Sequence, residues 1–267
     1  MVGPKGDITL FDASIPGNHL PEGVMRCIAN YQTKMARTLF EISCLDGLEE
    51  LSTARTLPSH LLRLFRKAVA LYDESTHYVL GQMRRHGLKP QCKPGCTHCC
   101  CHMPTGISTI ELVYLYHGLH QIKSLPRLFR RCLEAEESWV EIFHQNRNAA
   151  LSLSHDHDDS MAMETMLKSY LAMDRPCPLL QSGCCLVYAY RPFACRMHFS
   201  LSPPHWCLHS HFQHEYAVRF NLEPGECVFD MLERLDGCFQ LNLSNVMVCG
   251  LLELMVNVMQ FEEIRWL

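Results

Sequence analysis

Several things are missing from this chain, and each absence removes a class of function. No window of about 18 apolar residues occurs, which speaks against a membrane span. The first residues, MVGPKGDITLFD, contain no basic region followed by an apolar run, so a secretory signal is not expected and the cytosol is the expected compartment. No G-x-S-x-G elbow, phosphate-binding loop or dinucleotide fingerprint appears. Sustained period-two alternation is absent, which argues against a large sheet. Charged residues make up only 19% of the chain and the net charge is −4, with no basic stripe interleaved with aromatics. A general affinity for nucleic acid or for an anionic membrane is therefore not expected.

Cysteine, by contrast, is abundant. The 267 residues include sixteen cysteines and sixteen histidines, within an otherwise ordinary globular balance that is 48% hydrophobic. Nine of the cysteines fall in two short stretches. Residues 91–101 read QCKPGCTHCCC, with Cys92, Cys96, Cys99, Cys100 and Cys101. Residues 177–196 read CPLLQSGCCLVYAYRPFACR, with Cys177, Cys184, Cys185 and Cys195. In a reducing compartment, thiols crowded this closely point to metal ligation or redox chemistry and not to disulfides.

Helical patterns surround these stretches. Apolar spacing predicts one helix from Pro21 and a second opened by Pro58 and Ser59 and stopped at Gly87. Ser108-Thr-Ile-Glu111 is a capping box that starts a helix through about Leu119. Its positive end is expected to face the cysteines and to lower their pKa. Further helices are predicted from Pro126 to about Leu151, over 161–173, 211–222 and 226–262, with a break near Asn242–Asn245. A polar break covers 152–160, in which His155 and His157 alternate with aspartates, and a short strand fits near Leu186–Tyr188.

The fold class expected is mainly α: a helical scaffold around a loop-rich, cysteine-stapled metal-binding centre, with at most short strands. Three stretches follow from this reading. Residues 1–90 form an N-terminal helical segment. Residues 91–210 form the cysteine-cluster domain, with a helical insertion at about 120–176. Residues 211–267 form a C-terminal helical segment.

The chemistry is soft. Cys96-x-x-Cys99 is a knuckle spacing shared by zinc and iron–sulfur sites, and thiolate-only ligation disfavours magnesium and calcium. The Pro94-Gly95 turn lets backbone N–H groups point at sulfur. Cys92-x3-Cys96-x2-Cys99 is also the three-cysteine spacing of radical S-adenosylmethionine enzymes, but the strand–helix alternation they need does not follow it. Arg191 and Arg196, in R-P-x-x-C-R, are placed to offset thiolate charge and to donate hydrogen bonds to sulfur.

Taken together, Cys92-x3-Cys96-x2-Cys99-Cys100, the capped helix with Glu111, C-P-L-L at 177–180, C-L-V-Y at 185–188 and R-P-F-A-C-R at 191–196 resemble the YkgJ-type cysteine-cluster proteins. These are described as a zinc- or iron-chelating domain, the CxxCxxCC family. The resemblance covers about 91–207. It implies metal ligation by Cys92, Cys96, Cys99, Cys100, Cys177, Cys185 and Cys195, with Cys207 as a further ligand. Cys101 and Cys184 are additional to the family pattern, and His198 and His205 are further candidate ligands. Flagellin lysine methylases look related, but no glycine-rich loop supports carrying methyl transfer over.

The expected function is an iron-binding protein, most readily an iron–sulfur protein, with a redox or accessory enzymatic role. The alternatives are a structural zinc module that binds a protein partner and an S-adenosylmethionine-dependent modification enzyme. Cys27, Cys44, Cys132, Cys227, Cys238 and Cys249 lie in helical patterns and are read as small buried hydrophobes. His205 and His209 have the i, i+4 spacing of a helix-borne metal pair, and the Met-rich tail reads as core.

Overall fold

The computed structural model describes residues 8–9, 21–93, 95–122, 125–152 and 159–267. Most of residues 1–20, Pro94 of the expected turn and most of the polar break with His155 and His157 lie outside the described residues.

The fold is mainly α-helical. Its helices are α1 (Glu22–Ser43), α2 (Leu51–Ala54), α3 (His60–Arg85), α4 (Thr109–His120), α5 (Leu125–Ser152), α6 (Asp159–Leu171), α7 (Glu226–Phe239) and α8 (Met247–Glu253), the last continuing into a π-helical turn over Leu254–Val258. Among the described residues no strand exceeds three residues. Three small sheets occur among the described residues. β1 (Ile8–Thr9) runs parallel to β6 (Arg219–Asn221), which is antiparallel to β5 (His198–Ser200). β2 (Thr56–Leu57) runs parallel to β7 (Arg265–Trp266), and β3 (Leu180–Gln181) forms a hairpin with β4 (Cys184–Cys185). No helix among the described residues is long and apolar enough to cross a membrane.

The helix boundaries follow from local chemistry. α3 stops at Gly87, whose φ of +84° suits glycine where the chain turns off a helix. α4 starts at the capping box, where the Glu111 carboxylate accepts hydrogen bonds from the Ser108 backbone N–H (2.9 Å) and hydroxyl (2.7 Å). α1 and α3 are amphipathic and pack on each other, with α7 against α1.

α4 is different. Its side chains are buried almost all round, from Ile110 to Leu119, which makes it the central helix of the molecule. One contiguous apolar cluster joins it to α1, α3, α5, α7 and α8, and includes Leu39, Phe65, Leu115, Leu232 and Leu251. Phe193 extends this core into the cysteine segment. Its ring meets Tyr72 edge-on at 5.2 Å and Phe65 at 6.2 Å. Gly118 of α4 permits a close approach on the same side, because a Cβ there would lie 2.5 Å from the Tyr190 ring.

Two expectations need correction. Residues 211–222 are not a helix: they form a 3-10 turn at His214–Tyr216 and then β6. The ladder to β5 and the stacking of Phe220 on Phe199 (5.6 Å) outweigh the local helical pattern. The strand expected at Leu186–Tyr188 lies slightly earlier, at β4, and residues 188–190 form a 3-10 turn.

Candidate functional site

The first cysteine run is laid against β5 by a hydrogen bond from the Gln91 N–H to the Ser200 carbonyl (2.8 Å). The Cys96 N–H reaches back to the Lys93 carbonyl (3.0 Å) across a turn in which Gly95 has φ +83°. A 3-10 turn over His98–Cys101 follows, with the Cys100 N–H donating to the Thr97 carbonyl (2.9 Å). It sends Cys101 into the interior and leaves Cys99 and Cys100 half-buried.

The second run is tied to the first by the Cys177 N–H, which donates to the Cys100 carbonyl (2.7 Å). The β3–β4 hairpin turns at Ser182 and Gly183, both at positive φ, as a two-residue hairpin requires. Because side chains alternate across a strand, Cys185 faces inward, half-buried, and Cys184 is exposed. Two 3-10 turns around Pro192 then place Cys195.

Arg196 holds this segment to α3. Its buried guanidinium bonds the carbonyls of Arg191 (2.8 Å) and Ala189 (2.9 Å) and both oxygens of Asp73 (2.9 and 3.1 Å). Arg191 stacks on the Tyr188 ring at 3.7 Å and donates to the Cys195 carbonyl (3.3 Å). Glu111 spans the remaining gap, accepting the Phe193 N–H at 2.7 Å.

Five of the thiols border two spaces that share lining residues, whereas Cys100, Cys177 and Cys185 line neither. An inner cavity of about 60 Å³ is lined by Cys92, Cys96, Cys99 and Cys207 with His102 and His198. An outer cleft of about 330 Å³ shares Cys92, Cys96, Cys99 and His198 with it and adds Cys195, Arg191 and a face of α3. Cys177 lies within electrostatic reach of both Cys195 and Cys185. His198 Nδ1 is 2.7 Å from Asn221 Oδ1, and its ring stacks on His102 at 6.0 Å.

Four backbone N–H groups are aimed at sulfur: Ser200 at Cys92, His98 at Cys96, Leu179 at Cys177 and Val187 at Cys185. Three of these come from the residue two positions on, so the same local turn recurs at three cysteines. Such donors favour a charged, ligating sulfur.

Burial works against ionisation. It pushes the thiols of Cys177, Cys185, Cys195 and Cys207 up, that of Cys195 to about 12. Arg191 pulls Cys99, Cys185 and Cys195 the other way. Cys96 is the exception, lowered to about 6 chiefly by the hydrogen bond from Cys92, whose own thiol is raised by the same contact. Cys99 and Cys100 form a second thiol–thiol pair.

The donor set therefore fits a thiophilic metal in kind: clustered soft thiols, N–H groups directed at sulfur and an arginine offsetting charge. Among the described residues, however, no three His, Cys, Asp or Glu side chains converge on one point as ligands. The thiols are gathered, with burial favouring the protonated form of Cys177, Cys185, Cys195 and Cys207, and ligation requires a cation to exchange for those protons.

Of the further candidates, only His198 borders this site. Cys101 points into the interior, where it senses Asp174 as well as Cys99. His205 is exposed, on a 3-10 turn over Pro204–Cys207. The expected His205–His209 helical pair does not form because no helix forms there. The His205 ring packs on His211 (4.9 Å) and that of His209 on His214 (5.2 Å). Cys44 and Cys227, expected to be buried, are exposed, whereas Cys132 and Cys249 are buried.

The expected role of the α4 N-terminus is also corrected. Its leading N–H groups face carboxylates, with Thr109 N–H bonding Asp236 at 2.6 Å and Ser108 N–H bonding Glu111. Two acidic groups thus neutralise the positive helix end, and Glu111 raises the pKa of Cys195. The face of α3 with Asp73, His77 and Arg84 was not anticipated as part of the site. Its one signal was the recurrence of polar residues on a single helical face. Set beside known proteins, the chain matches no family model, no curated protein and no solved structure.

Proposed function

We propose that this chain holds a thiolate-ligated iron centre, an iron–sulfur cluster, with a redox or accessory enzymatic role. The observation that carries this reading is the position of Cys92, Cys96 and Cys99, which border both the inner cavity and the outer cleft. A centre held there is reachable from solvent, as functional metal sites are and closed structural ones are not. Such a cluster supplies one-electron chemistry when bound.

The chain's own residues supply the setting. Cys92, Cys96, Cys99 and Cys207 offer sulfur from the inner side, and Cys195 offers it from the cleft, with Cys185 and Cys177 within its electrostatic reach. Cys100 is paired with Cys99. The N–H groups of Ser200, His98, Leu179 and Val187 orient four of these sulfurs. Arg191 offsets their charge, and Arg196 holds the segment against α3. The resemblance of both cysteine motifs to the YkgJ-type family supports the same centre, and a reducing cytoplasm would keep its thiols available.

A structural zinc site that shapes a surface for a protein partner is the second reading. The half-buried Cys177, Cys185 and Cys195 favour it, since they sit in a segment with little regular structure to hold it. An S-adenosylmethionine-dependent activity gains no support from the predominantly helical fold.

Elemental analysis with an absorption spectrum, on protein purified without oxygen, separates these readings. Iron with acid-labile sulfide and a broad visible charge-transfer band is expected. Stoichiometric zinc in colourless protein would transfer the assignment to the structural site, and protein with neither metal would overturn both.

A further inference from the structure

The outer cleft has a charge at odds with the molecule around it. The chain carries a net charge of −4. Yet among the described residues the cleft is lined by Arg84, Lys93, Arg191 and Arg196, and by one carboxylate, Asp73. That carboxylate is already engaged by Arg196. Three cations remain, on three different elements: Arg84 near the end of α3, Lys93 in the first cysteine run and Arg191 in the second.

These cations are uncommitted to acidic partners. Neither Arg84 nor Lys93 forms an ion pair or a side-chain hydrogen bond among the described residues, and both are exposed. Arg191 bonds backbone carbonyls and stacks on Tyr188, and among the described residues it forms no ion pair with a carboxylate. Neutralising thiolate charge accounts for Arg191, which acts on Cys99, Cys185 and Cys195, and for Lys93, which acts on Cys96. It does not account for Arg84, which is not among the main charges acting on Cys92, Cys96, Cys99 or Cys195. Its place on the same face of α3 as Asp73 and His77 aims it at the cleft.

The space is also the right size. About 330 Å³ lies at the small end of ligand pockets and admits a molecule of modest size. Cations converging from three elements on one concave surface focus potential there, even on a protein of net negative charge. Arginine is suited to the planar, two-pronged recognition of carboxylate or phosphate, and lysine adds a point charge.

We infer that the outer cleft is an anion-binding site, seating a small carboxylate- or phosphate-bearing ligand between Arg84, Lys93 and Arg191 and against the thiols of Cys96 and Cys99. Anion binding itself does not require the metal. That the ligand is the centre's substrate rests on the metal-centre reading above.

The test is calorimetric titration of the as-purified full chain with inorganic phosphate and, separately, with succinate, at low ionic strength. One-site saturable binding of at least one probe is expected. The double variant Arg84→Ala/Lys93→Ala should weaken it by about tenfold or more, the effect of losing charged hydrogen bonds. The variant Arg63→Ala/Lys67→Ala removes the same charge from exposed positions outside the cleft and should leave binding unchanged. No saturable binding of either probe, or equal weakening by both variants, overturns the inference. Metal content of each sample keeps the two proposals apart. Metal-free protein that still binds phosphate refutes the centre alone, and metal-bearing protein that binds neither anion refutes the cleft alone.

Discussion

α4 and the segment 177–207 lie against each other and are held by different forces. α4 buries ten of its twelve residues, and its neighbours α1, α3, α5, α7 and α8 close a continuous apolar core around it. The segment 177–207 has strands of two or three residues and isolated 3-10 turns. Phe193, Leu179 and Val187 anchor it in the core. Otherwise it depends on polar ties, chiefly Arg196 to Asp73, Glu111 to Phe193 and Cys177 to Cys100. Hydrophobic burial suffices for the first region. The second gathers thiols with donors aimed at them, an arrangement that, on the metal-centre proposal, gains most of its order when a metal replaces the protons. Regions with few apolar contacts open first, so the two should separate in stability.

The sharpest way to expose that difference is to remove the proposed metal. Chelation without oxygen should cost 177–207 and the run 92–101 most of their amide exchange protection, while α1, α3 and α4 keep theirs, as read by hydrogen–deuterium exchange. Uniform loss in both regions would mean that the comparison is false.

The opposite perturbation attacks the scaffold. Leu115→Ala, at a fully buried position in α4, should destabilise the whole chain by about 2–5 kcal/mol in calorimetric unfolding. Metal content per folded molecule should not change.

A smaller effect belongs to Arg191. Burial raises the thiols of Cys185 and Cys195, so protons compete with metal up to a higher pH, and metal retention falls as the pH falls. Arg191 opposes that rise. Arg191→Ala should therefore move the midpoint of acid-induced metal release to higher pH and weaken metal affinity by about 10–100-fold, as partners of ligating groups do. A midpoint unchanged or moved downward would remove Arg191 from the site. The least effect is expected at Cys184, exposed on the outer face of its hairpin, where Cys184→Ser should leave metal content and thermal midpoint unchanged.

Local features were legible in the sequence. Gly87, Ser108 and Glu111 mark helix ends through chemistry confined to a few residues, and Gly95, at φ +83°, marks the turn between Cys92 and Cys96 in the same way. What was not legible depends on partners far along the chain. β6 is three residues long and takes its conformation from β5, and Asp236 reaches the α4 N-terminus across 127 positions to cancel its charge. Asp73, His77 and Arg84 resemble any solvated helix face until the cysteine loops fold beside them. The same holds for Cys185 against Cys184: neighbours in sequence, they are told apart only by the hairpin register.

The central claim is that one set of thiols forms the centre while the others merely pack. Metal content of purified Cys96→Ser and Cys195→Ser, compared with Cys27→Ser and Cys249→Ser, tests it directly. The first pair should lose most of its metal, and the second should retain the wild-type amount. Equal loss from both pairs, or none from either, would contradict the account.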